Sequence, residues 1–405
     1  MTEASIDAAE AGGSGAPVDA IVVGGGIGGL GTALALHRTG HTVRVLEQAA
    51  EFGEVGAGLQ MAPNATRVLR DWGLLDDVIA QGVTPRRLIM RDAVNNEVLT
   101  QLDLDDAGRR YGAPYVVIHR SDLHAILVQA CRNTGIELVT ATEVEQVDTG
   151  ADHATAISDQ RRDTGSIVVA ADGLNSQLRG RLSDDRPISS AYVAYRGAVP
   201  LSDMPDQDAL ALEDVTVFVG PACHLVQYPL RRGEMFNQVA VFQSPKALAG
   251  EADWGTPDEL DAAFADMCES VIAGLPHLWR DRWWRMFDRE PIDSWVDGRV
   301  VLTGDAAHPM LQYLAQGACQ ALEDAVCLAE QAEKHSNGER TDWDQALASY
   351  AAVRTARTAT VQRRARQWGD LWHCDGLFRD TRNALLRDRD TNDYRYIDWL
   401  YGSGL

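Results

Sequence analysis

A chain of 405 residues, 45% of them hydrophobic, is long enough for two or three domains with buried cores. Its 59 acidic against 37 basic side chains leave a net charge of -22, which repels nucleic acid and anionic membrane surfaces. No apolar run approaches the ~20 residues of a membrane span, and scattered cysteines without C-x-x-C pairs or His clusters point to reduced thiols in a cytoplasmic protein, with no metal centre.

Residues 1–17 are rich in Ala, Gly, Ser and acids, with no basic start and no apolar stretch, so they are expected to form a disordered tail and not a signal peptide. From Val18 the chain turns apolar. Ile21, Val22 and Val23 read as a strand running into Gly24-x-Gly26-x-x-Gly29 and a helix. Gly24 suits a tight turn, Gly26 a close approach of backbone to a pyrophosphate, and Gly29 close packing of helix on sheet. The helix N-terminus would point its N–H groups and positive dipole end at phosphates. The next strand, Thr42 to Leu46, delivers Glu47, whose carboxylate suits a free ribose 2'-hydroxyl over a 2'-phosphate.

A second glycine-rich turn, Phe52 to Gln60, has the flexible backbone to wrap a cofactor or simply to turn. Asn64 to Leu69 and Trp72 to Ile79 read as short helices, and Arg86 to Leu102 as strands. Ser121 then reads as an N-cap before Leu123, Ile126 and Leu127 at helical spacing. That places Arg120 just ahead of the helix, where a cation reaches a phosphate or merely the surface. Ile167 to Ala171 is a buried strand ending in an Asp172-Gly173 turn. Ser176 and Arg179 follow one helical turn apart, a pattern that suits phosphate or ribose contacts but also a plain turn and cap.

From Ser190 to Phe242 the pattern changes to alternating strands: Tyr192 to Val199, Val215 to Val219, His224 to Pro229 and Met235 to Phe242. They predict an antiparallel sheet distinct from the nucleotide-binding part. Period two sets His224, Val226 and Tyr228 on one face over roughly 13 Å, enough to flank one aromatic ring. A core histidine satisfied by a neighbour is the bland alternative. Beyond it, the strand Val300 to Thr303 leads into Gly304-Asp305-Ala306-Ala307-His308-Pro309 and a helix of small residues. This acidic turn and the first glycine motif ask for the same ligand at its two ends, so the chain is expected to hold FAD and to act as an oxidoreductase. With one G-x-G-x-x-G in the sequence, a nicotinamide donor would dock transiently.

Gly24 to Gly29, the Asp172-Gly173 turn and the run from Gly304 to Ala325 resemble the single-component flavin-dependent aromatic hydroxylases, from about Val18 to the C-terminus. The segments after Phe52, Arg110, Gly220, Asp281 and Thr391 resemble, more narrowly, the hydroxybenzoate 6-hydroxylases of that family. Gln312 stands where the wider family commonly has proline, as it does in that subgroup, and Cys319 replaces the usual Asn, which puts in doubt any flavin contact that Asn would make. The resemblance implies an α/β fold. A Rossmann-like FAD-binding domain (18–80, 104–185 and 290–345) would be interleaved with an antiparallel-sheet substrate domain (81–103 and 186–289), followed by a C-terminal helical segment (346–405).

It further implies that Gly24, Gly26, Gly29 and Glu47 bind the adenosine end, Arg120 the phosphate side, and Asp305 the ribityl chain. Asp172 and Gly173 would serve FAD and the nicotinamide donor, while Gly317 and Ala318 start a helix whose N–H groups face the flavin ring. The implied reaction hydroxylates 3-hydroxybenzoate para to its hydroxyl to give gentisate, with NADH and O2, through a flavin C4a-hydroperoxide. His224 and Gln312 are the implied catalytic residues. The imidazole would take the phenol proton because it ordinarily titrates near working pH, and the amide would fix which carbon faces the oxygen. Tyr228 and Tyr115 are the implied substrate contacts, and a homodimer is the family's suggestion. Salicylate 1-hydroxylation, with loss of CO2, is the nearest rival. A halogenase is disfavoured because Trp283 and Trp284 are adjacent and the W-x-W-x-I-P segment is absent, and non-catalytic protein binding on this fold is disfavoured by the intact glycines, Glu47 and Asp305. The aromatic tail from Trp368 to Tyr401 reads as core packing ahead of subunit contact or an active-site cover.

Overall fold

The computed structural model describes residues 15–53, 56–204 and 210–402. The expected disordered tail lies outside the described residues except for Gly15, Ala16 and Pro17, as do Glu54 and Val55 of the second glycine-rich turn.

Val18–Val23 sits inside an eight-stranded sheet. It pairs in parallel with Val43–Leu46 on one side and Arg162–Ala170 on the other, and the latter pairs in parallel with Val300–Leu302. These strands are almost continuously apolar, as strands covered on both faces must be. Parallel pairing brings their C-terminal ends to one edge. The turn at Gly24, the carboxylate of Glu47, the Asp172-Gly173 turn and the Gly304-Asp305 turn therefore converge there from four separate parts of the chain. Helix Ile27–Arg38 packs on helix Gly317–Lys334 along small residues. A Cβ at Gly28 would lie 3.3 Å from that of Ala321, and one at Gly31 would lie 2.8 Å from Leu322 Cδ2.

The second sheet has seven strands, in the order Trp284–Asp288, Ile188–Pro200, Met235–Gln243, Cys223–Leu230, Asp214–Gly220, Arg87–Asp92 and Val98–Asp103. It is mixed where an antiparallel sheet was expected. Asp214–Gly220 runs parallel to Arg87–Asp92, because the hairpin from the early part of the chain adds to that edge side by side, and the other pairings are antiparallel.

Two helix starts differ from expectation. The helix placed from Trp72 begins at Leu75 and runs to Gln81, since Trp72 caps the preceding helix Pro63–Asp71 and Gly73 turns the chain with φ +76. The helix assigned a Ser121 cap spans Arg120–Thr134 and is capped by His119, whose Nδ1 accepts the Ser121 N–H at 3.3 Å, so Arg120 is its first residue. The C-terminal region is helical: Trp343–Trp372 packs on Gly317–Lys334, and Gly376–Arg387 lies on Val98–Asp103. Arg379 and Asn383 pin the latter helix by donating to the buried Asp92 at 2.6 and 2.7 Å. Among the described residues no helix is long and apolar enough to cross a membrane, and no group of three or more His, Cys, Asp or Glu is placed to hold a metal.

Candidate active site

One cavity of about 1300 Å³ is lined by both sheets, and the candidate residues named from the sequence line it except Gly29, Ser176 and Arg179. Gly29 lies inside the first helix, where a Cβ would meet the Gly24 carbonyl oxygen at 1.9 Å, so it admits the helix and not a ligand. Gly24 takes φ +108, and a Cβ there would lie 2.3 Å from Ala171 O.

At this end the glycine turn is held by two side chains. Glu47 accepts the Gly25 N–H at 2.6 Å and the Ala49 N–H at 2.8 Å, which fixes its carboxylate at the cavity wall. His124, buried on helix Arg120–Thr134, sits with Nε2 2.7 Å from Gly25 O. Sequence reasoning missed His124, because a lone histidine on an apolar helix face carries no signal beyond core packing. Asp172 accepts the Gln177 N–H through Oδ2 at 3.0 Å and leaves Oδ1 buried without a partner.

Ser176 and Arg179 do not reach the cavity. Ser176 Oγ accepts the Arg179 N–H at 2.9 Å, and the fully buried Arg179 guanidinium pairs with Asp185 and donates to the carbonyls of Ala306 and Ala307. The spacing is as read, but the cation braces the Gly304 turn from behind. That turn has a second brace. Asp324 accepts the Gly304 N–H at 2.9 Å, meets His308 Nε2 at 2.5 Å and accepts Arg354 Nε at 2.6 Å. Burial alone would raise the Asp324 carboxyl, but His308 and Arg354 outweigh it and hold it at about 2. Asp305 is left exposed at the cavity wall, and Gly317 is close enough that its Cβ would be 3.9 Å from Asp305 Oδ1.

Helix Gly317–Lys334 opens on the cavity with no side-chain cap, so Gly317 and Ala318 present first-turn N–H groups there. Gln316, just before it, accepts Asn64 Nδ2 at 3.0 Å and keeps a buried, unpartnered Nε2. Cys319 turns away from the cavity, with Sγ 3.8 Å from Gln60 O, and burial pushes its thiol up to about 12.

The other half of the cavity rests on one face of the second sheet. His224, Val226 and Tyr228 share that face, as period two requires, and all three are buried. Burial pushes the Tyr228 hydroxyl well above its ordinary range, so it is a neutral donor. Tyr115 is buried and donates to Gln60 Oε1 at 2.8 Å. Half-buried Gln312 opens the short turn Gln312–Leu314 on the cavity wall.

His224 lines the cavity and also has the satisfying neighbour that the bland alternative required. Its Nδ1 lies 2.8 Å from His373 Nε2, and Trp372 and Tyr313 meet its ring edge-on at 5.0 and 5.6 Å. Burial, then His373, drives its pKa well below the ordinary value, so the expectation that it titrates near working pH does not hold. The aromatic tail, whose sequence favours core packing over subunit contact or an active-site cover, also lines the cavity through Trp368, Trp372 and Tyr401.

The donor set fits FAD. A long slot has one end built from a glycine turn at an uncapped helix N-terminus, an unpartnered Asp172 oxygen and Gln316 amide along its length, and a second uncapped helix N-terminus beyond.

A family model described as an FAD binding domain matches residues 17–365. The chain is 38% identical over 394 residues to a 3-hydroxybenzoate 6-hydroxylase of Polaromonas naphthalenivorans, covering 96% of each chain. It is 39% identical over 391 residues to 3-hydroxybenzoate 6-hydroxylase 1 of Aquipseudomonas alcaligenes, covering 94% of this chain and 97% of that one. Among solved structures, Klebsiella pneumoniae HpxO complexed with FAD and uric acid superposes with a TM-score of 0.82 at 27% identity, over 95% of this chain and 96% of that one. Match and cavity agree along nearly the whole length: the chain belongs to the FAD-binding family of flavin-dependent monooxygenases.

Proposed function

We propose that this protein hydroxylates 3-hydroxybenzoate para to its hydroxyl, giving gentisate, with FAD as bound cofactor, NADH as transient reductant and O2 as co-substrate. The observation that carries the reading is a buried sheet face presenting His224 and Tyr228 to the same cavity as Gln312 and the uncapped helix at Gly317. Identity to curated 3-hydroxybenzoate 6-hydroxylases over nearly the full chain supports the choice of acid.

Gly24, Gly26, Glu47 and Arg120 would hold the adenosine and phosphate end of FAD, with Asp172, Gly173, Asp305, Gly317 and Ala318 along the remainder. When bound, FAD supplies the activation of O2 that no side chain can provide. The residues on the sheet prepare the substrate. The neutral His224 accepts the phenol proton, which raises electron density on the ring carbon para to the oxygen. Tyr228 donates a hydrogen bond that orients the ring, Tyr115, whose proton is held by Gln60, offers its oxygen and ring edge, and Gln312 selects the carbon that faces the oxygen. Trp372, Tyr313 and the sheet exclude water from the reacting ring. Association as a homodimer is part of the same proposal.

Purified protein mixed with NADH and a panel of hydroxybenzoates, followed for NADH loss, peroxide and chromatographic products, tests this. Gentisate from 3-hydroxybenzoate is the expected product. Catechol from salicylate as the sole product would replace the reading with decarboxylating hydroxylation.

A further inference from the structure

Among the described residues, one cation on the cavity wall, Arg196, has no carboxylate to answer its charge. Arg196 projects from Ile188–Pro200 into the cavity, and its Nε is buried without a hydrogen-bond partner. No carboxylate stands among its electrostatic neighbours, which are Tyr228 and Arg120. Its contact is the ring of Trp284, 5.1 Å from the guanidinium carbon. A cation–π face offsets part of the lost hydration of a buried guanidinium but leaves its planar donor fork open. Other arginines lining the cavity are answered: Arg382 by Asn383 and Asp92, Arg389 by Thr100 and the Gln101 carbonyl, Arg395 by Asp393.

Register places this open fork beside the proposed aromatic pocket. Arg196 pairs with Val239, and Val239 with Val226, so these three side chains form one row across the sheet. His224 and Tyr228 flank that row on the next strand but one. Strand spacing and rise then put the Cα atoms of Arg196 and His224 roughly 12 Å apart. Both side chains rise from the same face of the sheet, so a substituted benzene ring lying over Val226 and Val239 can meet both. Arg196 is half-buried with its Nε fully out of solvent; such a cation held open in a cavity is an anion receptor, and its fork geometry matches a carboxylate bidentately.

We propose that Arg196 receives the carboxylate of the aromatic acid and so sets substrate class, in an inference that rests on the hydroxybenzoate reading above. It holds the acid on one side of the ring while His224 takes the hydroxyl on the other. The neutral Tyr228 hydroxyl, its electrostatic neighbour, is placed to share the anion.

The test compares ligands as well as variants. Dissociation constants of 3-hydroxybenzoate and of neutral 3-hydroxybenzamide are measured on the FAD-loaded protein from the perturbed flavin absorbance, for wild type, Arg196→Met and Arg196→Lys. Removing one partner of a buried charge pair should weaken the acid by at least about 30-fold. The amide should bind wild type and Arg196→Met alike, and Arg196→Lys should recover part of the acid affinity by restoring charge without the fork. FAD affinity and reduction of the free enzyme by NADH should be unchanged in both variants. Equal losses for acid and amide, unchanged acid binding in Arg196→Met, or loss of FAD with the acid-to-amide ratio preserved would each overturn the assignment. A folded, FAD-loaded wild type that binds neither ligand would overturn the hydroxybenzoate reading and this site with it, whereas a wild type that binds the acid while Arg196→Met binds it equally sinks the anion receptor alone.

Discussion

His224 Nδ1 lies 2.8 Å from His373 Nε2, and the two imidazoles stack 5.0 Å apart with 22° between their planes. One nitrogen of the pair must donate and the other accept, so the two tautomers are coupled. When His224 carries its proton on Nδ1, its Nε2 is left as the acceptor that a phenol requires. His373 is the more exposed member, 8% against 1%.

His224→Ala should therefore slow hydroxylation by ~100- to 10,000-fold while reduction of the flavin by NADH stays comparable to wild type. His373→Leu should slow the same step, and His373→Gln, whose amide oxygen can accept from Nδ1, should recover part of it. Rapid mixing on folded, flavin-loaded variants separates reduction from oxygenation. A normal oxygenation rate in His224→Ala would remove the histidine from the catalytic list, and equal slowing of both steps would assign it to packing.

Both imidazoles are neutral across the working range. Burial followed by His373 lowers His224 well below 6.5, and burial followed by Arg382 holds His373 at about 3. Raising the pH through 6.5 therefore creates no new base, and kcat/KM for hydroxylation should show no ionisation there. For stability the depressed pKa works in one direction. Below about 6.5 the unfolded chain takes up protons that the folded chain refuses, so stability present above that pH is lost as it falls, by about 1.4 kcal/mol per pH unit for each histidine. Urea midpoints at pH 7.5 and 5.5 measure the loss, which should shrink in His373→Leu. An equal loss in wild type and variant would contradict the buried neutral pair.

Gln312 is the first residue of a short turn, a position that accepts proline without strain. Gln312→Pro should keep the fold and FAD but lose the amide that orients substrate. Peroxide should rise as product falls for each NADH consumed. Unchanged coupling would show that the amide has no part in regiochemistry.

Asp324 is fully buried and joins His308, Arg354 and the Gly304 N–H behind the cofactor turn. Asp324→Asn removes one of the two carboxylates on the buried Arg354, leaving Glu323 at 2.6 Å, and weakens the bonds to His308 and Gly304, so it should cost roughly 1 to 3 kcal/mol and loosen FAD through Gly304 and Asp305. The carboxyl is depressed in the fold, so its contribution is present above about pH 4 and is lost as pH falls toward 2. Denaturant unfolding with flavin fluorescence reads both effects. An Asn variant with wild-type midpoint and FAD retention would reduce the network to a bystander.

What could be read from sequence was what is local. Gly24, Glu47, Asp172 and Asp305 each follow a strand by a residue or two, so strand pattern and turn chemistry placed them, and parallel pairing did the rest. Period two likewise placed His224 and Tyr228 on one face. His373 was out of reach, because it stands 149 positions from His224 and arrives through helix packing. Sequence leaves Arg179 open between ligand contact and a plain turn and cap for a related reason: spacing locates it on the turn, but only the packed neighbours decide that its guanidinium points at Ala306 and Ala307. Arg196 had no sequence signal at all, since what distinguishes it is that no carboxylate among the described residues stands beside it.

Incubating the FAD-loaded protein with NADH, 3-hydroxybenzoate and 18O2, then weighing the product by chromatography and mass spectrometry, decides whether the chain inserts oxygen para to the phenol. Gentisate carrying one 18O on the ring, in proportion to the NADH consumed, is the expected product. Unlabelled gentisate, a decarboxylated product, or NADH consumption that yields only peroxide would contradict that insertion.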